Sequence, residues 1–135
     1  MKLRLTVYAE LSDQGLHLSL DEQRIHFAPY INVGTDRGKA LPVAIGEKRE
    51  LPDATLLGFF DFDAITKLGI EKTTLLQWAL DYGIGRLFEK FWFPVLRPLV
   101  IFRNHSTLAT IFGDDYKEIL ETTTLRAGAG KVEFE

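Results

Sequence analysis

The chain has 135 residues, 46% of them hydrophobic and 26% charged, which is the composition of one globular domain rather than of a disordered segment. A net charge of −3 and a pI near 5.6 argue against a surface built for nucleic acid or anionic lipid, since both need clustered Lys and Arg. With no cysteine, disulfides, thiolate catalysis and Cys-ligated zinc are excluded. The N-terminal stretch alternates and soon meets Glu10 and Asp13, unlike a signal peptide, and no apolar run reaches the ~20 residues of a membrane span. A cytoplasmic protein is the expectation.

The first third reads as strands. Leu3, Leu5 and Val7 alternate with polar residues, Asp13-Gln14-Gly15 supplies a turn, and Leu16, Leu18 and Leu20 alternate with His17 and Ser19. A two-residue turn at Glu22-Gln23 would set Leu20 against Ile25 and Leu18 against Phe27, keeping both apolar sets on one face. After Pro29 comes a short strand-like piece, Tyr30 to Val33. The glycine-flanked Gly34-Thr35-Asp36-Arg37-Gly38 lacks the Gly-Lys-Ser/Thr ending of a phosphate loop and reads as a hairpin turn. Apolar Ala40 to Ile45 follows, and residues 46–55 read as a surface connection.

From about Glu71 the period becomes helical, with Leu76, Leu80, Ile84, Leu87 and Phe91 on one stripe. Gly83 and Gly85 each weaken that helix by about 1 kcal/mol relative to Ala, so packing must compensate or the helix must kink. Leu99 to Phe102 is all apolar, as for a strand covered on both faces. Asp114 to Arg126 is a second helix with Tyr116, Ile119, Leu120 and Thr123 inward, ended by Gly128-Ala129-Gly130, and Lys131 to Glu135 is a last strand. Three antiparallel strands, helix, strand, helix, strand describe one α/β domain spanning 1–135, with its last two strands parallel. That is the ribonuclease H-like arrangement, a mixed five-stranded sheet with helices, duplicated in actins, sugar kinases and heat-shock chaperones.

Within that order, three segments resemble the first subdomain of bacterial actins of the rod-shape-determining MreB type. Gly58-Phe59-Phe60-Asp61-Phe62-Asp63 is similar to a Gly…Asp-Phe-Asp stretch of that family. Arg97-Pro98-Leu99-Val100-Ile101-Phe102-Arg103 is similar to its central Arg-Pro-x-Val-Val-Val strand, and Ala127-Gly128-Ala129-Gly130-Lys131-Val132 to its Ala-Gly-Ala-x-x-Val link. The resemblance implies a first hairpin carrying Asp-x-Gly-Thr, which positions metal and phosphates. Here the equivalent stretch is Ala9-Glu10-Leu11-Ser12, so carboxylate and glycine are both missing, and alternation aims Glu10 at the opposite face. No ATP binding and no cofactor are therefore expected, and the nucleotide site reads as degenerate.

Three side-chain groups invite chemistry. His17 and His26, on neighbouring strands with Ser19, could begin a metal site about 7 Å across a diagonal, or be polar residues of a solvated face. Asp61 and Asp63, two apart in an extended stretch, could hold Mg²⁺ for a ribonuclease H-like hydrolase, or approach and cap a helix. His105-Ser106, at the carboxyl end of the central strand with Asp114 and Asp115 nearby, could line a small-molecule cleft, or be a loop. The densest apolar cluster is Phe88, Phe91, Trp92, Phe93, Val95 and Leu96, a candidate interaction surface. The leading expectation is a non-catalytic interaction or scaffold module with a protein partner, most simply a second copy, and no nucleic acid or membrane insertion.

Overall fold

The computed structural model describes residues 4–91 and 96–135. Its main sheet has five strands in the order β3-β2-β1-β7-β8, formed by β1 (Thr6–Ser12), β2 (Gly15–Leu20), β3 (Gln23–Phe27), β7 (Leu99–Phe102) and β8 (Lys131–Phe134). The first three pair antiparallel, whereas β1 with β7 and β7 with β8 pair parallel. This is the mixed five-stranded α/β arrangement that the order of elements implies.

The turn between β2 and β3 lies at Asp21-Glu22, one residue earlier than the alternation suggests. Leu18 therefore faces Ile25 and Leu16 faces Phe27. Asp21 accepts the left-handed backbone such a turn needs, with φ 54°. Because the slip is two positions in register, the apolar residues stay on one face. Gly15 closes the preceding hairpin at φ 128°, and a Cβ there would sit 2.0 Å from the Phe27 carbonyl oxygen, so no other residue fits.

A second sheet, not anticipated as such, has the order β5-β4-β6, from β4 (Tyr30–Asp36), β5 (Lys39–Ile45) and β6 (Thr55–Gly58). Arg37-Gly38 makes the β4–β5 turn, as the glycine flanks suggest. Pairing skips at Val43, a bulge beside Pro42. The connection 46–54 is tied down where the fully buried Asn32 amide donates from Nδ2 to the Arg49 carbonyl at 2.9 Å.

Helix α1 (Phe62–Lys67) is short, and α2 (Thr74–Phe88) and α4 (Tyr116–Arg126) are the long ones, with α3 (Ala109–Phe112) following a 3-10 turn at 106–108. The long helices bury Leu75, Leu76, Leu80, Leu87 and Leu120 against Val7, Ala9, Leu11, Leu16, Leu18, Val100 and Phe102. Gly83 is the contact point: a Cβ there would lie 2.4 Å from Leu18 Cδ1 and 3.0 Å from Phe27 Cε2. The propensity lost at that glycine is the condition for close helix–sheet approach. Coverage is one-sided. Val100 and Phe102 are fully buried, but Leu99 and Ile101 are only half-buried, which corrects the expectation of a strand covered on both faces. Among the described residues, no helix is long and apolar enough to cross a membrane.

Candidate functional site

The uncovered face of the five-stranded sheet carries the polar side chains of β1, β2, β3 and β8 together with the half-buried Leu99 and Ile101 of β7, because alternation sends their apolar partners to the helices. A concavity of about 720 Å³ lies there, lined in part by Arg4, Tyr8, Glu10, His17, Arg24 and Arg103. Arg103 stacks its guanidinium 3.6 Å from the Tyr8 ring centroid and donates from Nε to Glu135 Oε2 at 2.7 Å. The Glu135 hydrogen bond raises the Arg103 pKa further above its ordinary range, so the group is a permanent cation. Asn104, held left-handed at φ 52°, donates from Nδ2 to Glu10 Oε1 at 2.8 Å.

His17 and His26 stand directly opposite one another, with ring centroids 5.9 Å apart, rather than on the expected diagonal. Glu10 is next in the same row, opposite His17. The row does not close into a ligand set: among the described residues, no group of three His, Asp or Glu side chains could hold a metal ion.

Asp61 and Asp63 are not in an extended stretch. Asp61 is the N-cap of α1 and accepts from the Ala64 N–H at 3.3 Å, while Asp63 lies in the first helical turn. Both positions favour acids for the helix they begin. His105 is fastened on both ring nitrogens, to Tyr116 Oη at 2.8 Å and the Glu135 carbonyl at 3.0 Å. A carbonyl only accepts, so a neutral His105 donates from Nε2 to Glu135 and accepts on Nδ1 a hydrogen bond from the Tyr116 hydroxyl. The ring also meets Phe134 edge-on, with centroids 5.2 Å apart.

Of the apolar cluster, Phe88 and Phe91 are half-buried against the core with ring centroids 5.4 Å apart, and Leu96 is 37% exposed. Trp92, Phe93 and Val95 lie outside the described residues. Sequence reading missed the Tyr8–Arg103–Glu135 and Glu10–Asn104 links. Alternation within β1 puts Tyr8 and Glu10 on one face, but their partners come from a parallel strand whose register no local pattern reveals.

No protein-family model matches the chain, and no curated protein does. Solved structures do, among them two of one protein. MreB5 of Spiroplasma citri bound to ADP is 13% identical with a TM-score of 0.65, over 98% of this chain and 38% of that one. The same protein bound to AMPPNP is 11% identical with a TM-score of 0.55, over 100% of this chain and 39% of that one. The fold is that of an actin-like ATPase subdomain. The chain thus spans under two-fifths of the length of the actin-like structures it matches. In this actin-like sheet, Ala9 faces Leu18 and Leu11 faces Leu16, with exposures of 0% and 2%.

Proposed function

We propose that this chain is an actin-like interaction or scaffold module whose nucleotide site is degenerate. The observation that carries the reading is the burial of Ala9 and Leu11. Where the resemblance calls for a metal-orienting carboxylate and a glycine of close backbone approach, this hairpin puts a methyl and an isobutyl group into the core. Neither can orient a hydrated cation, and Glu10 between them lies on the other face, hydrogen-bonded to Asn104. The described part of the apolar cluster, Phe88, Phe91 and the exposed Leu96, belongs to the proposed surface for a protein partner, in keeping with an assembly role.

The test is calorimetry of the chain with ATP and Mg²⁺. The expected result is no saturable heat at millimolar nucleotide. A site tighter than about 1 mM, roughly −4 kcal/mol, overturns the reading.

A further inference from the structure

A sheet edge is an unfinished ladder, and folded proteins normally blunt it. Among the described residues the two sheets have four outer strands, β3, β8, β5 and β6. Three are poor templates. β5 carries Pro42, with no N–H to offer, and a bulge at Val43. β6 is as short as β8 and, with no charged residue in Thr55–Gly58, has nothing to fix the register of a second copy. On β3 the two-residue turn pairs Leu20 with Gln23, which leaves the main chain of Arg24 and His26 facing outward. A second β3 laid antiparallel would set Arg24 against His26, with no opposite charge between them.

β8 differs. The Gly130 N–H bonds the Pro98 carbonyl, which precedes β7. Along the strand the Glu135 N–H bonds the Phe102 carbonyl and peptide groups alternate in direction, so Val132 and Phe134 present their N–H and C=O groups away from β7, while Lys131 and Glu133 turn theirs toward it. The Lys131 and Glu133 side chains are exposed, at 59% and 46%, on the uncovered face of the sheet. Neither proline nor bulge interrupts the strand.

We infer that β8 pairs with β8 of a second copy, antiparallel about a two-fold axis at Val132, joining two five-stranded sheets into one. In that register the outward main-chain groups of Val132 bond those of Val132 in the other copy, and Lys131 of each copy faces Glu133 of the other, twice over. The strand is therefore self-complementary in charge about its own centre, which a two-fold interface requires. The Lys131–Glu133 ion pair within one strand, 3.5 Å long and solvent-exposed, is weak enough to exchange partners. The inference deepens the reading of the chain as an assembly module by naming a second copy as the partner. It is read from mass, so its failure is distinct from nucleotide binding in the calorimeter.

Sedimentation velocity across 1–100 μM tests it, with twice the 15.3 kDa chain mass expected at the upper end. Lys131→Glu and Glu133→Lys each create two like-charged pairs, so each should weaken the dimer about tenfold. An equimolar mixture of the two variants restores both opposite pairs and should recover dimer. Loss of fold cannot imitate that recovery. A single-chain mass persisting at 100 μM overturns the inference. So does a mixture that associates no better than either variant alone.

Discussion

The two faces of the five-stranded sheet share one backbone and obey opposite rules. On the helix side Val7, Ala9, Leu11, Leu18, Val100 and Phe102 are sealed, and a change there alters packing. On the open side Tyr8, Glu10, His17 and Arg103 are held by ring contacts and pairwise hydrogen bonds, with Ser19 beside them, and a change there alters only local contacts. Position within a strand, odd or even, thus decides whether a residue belongs to stability or to surface chemistry. The sealed side of the β1–β2 hairpin carries Ala9 and Leu11 and no charge.

The sharpest way to break that contrast is one chemical change made on both faces. Ala9→Asp buries an unpaired carboxylate and should cost more than about 3 kcal/mol, whereas Ser19→Asp should stay within about 0.5 kcal/mol. Urea unfolding of both variants measures the difference, and equal losses would show the faces to be equivalent. Next in size is the helix contact. Gly83→Ala should cost about 1–2 kcal/mol, because the methyl overpacks Leu18 and Phe27. Gly85→Ala, with no neighbour within 4 Å of its Cβ, should gain up to about 1 kcal/mol. Thermal melts of the pair should move in opposite directions. Smallest is Asp61→Ala, at about 1 kcal/mol for a lost N-cap. Asp61→Ser should recover most of it, since a hydroxyl caps as well as a carboxylate, and a failure of that rescue would point to a role for the charge itself.

Much of this architecture was legible because it is local. The alternation at Leu16, Leu18 and Leu20 placed β2 and its buried face, and the helical stripe from Leu76 to Leu87 placed α2. What was not legible depends on distance or brevity. β6 has four residues, and its partner β4 lies across the connection 46–54, so Thr55–Gly58 carries no period to recognise. Helix α1 is six residues long and is announced mainly by its cap, so Asp61 and Asp63 read as an extended pair. The open-face links failed for the other reason. Tyr8 meets Arg103 only because β1 pairs with β7, and the sequence between them says nothing of that register.

The glycine at the centre of α2 has a further consequence, for the order of folding. A 15-residue helix is marginal alone, and Gly83 and Gly85 together make it more so. It therefore gains its stability by docking on Leu18 and Phe27, which meet only once β2 and β3 have formed their hairpin. That hairpin is local and closes in microseconds, while the pairing of Thr6 with Leu99 must wait for most of the chain. The meander is the template, α2 condenses on it, and the parallel strands arrive last. Gly83→Ala should accordingly slow folding, and a change confined to β8 should instead speed unfolding.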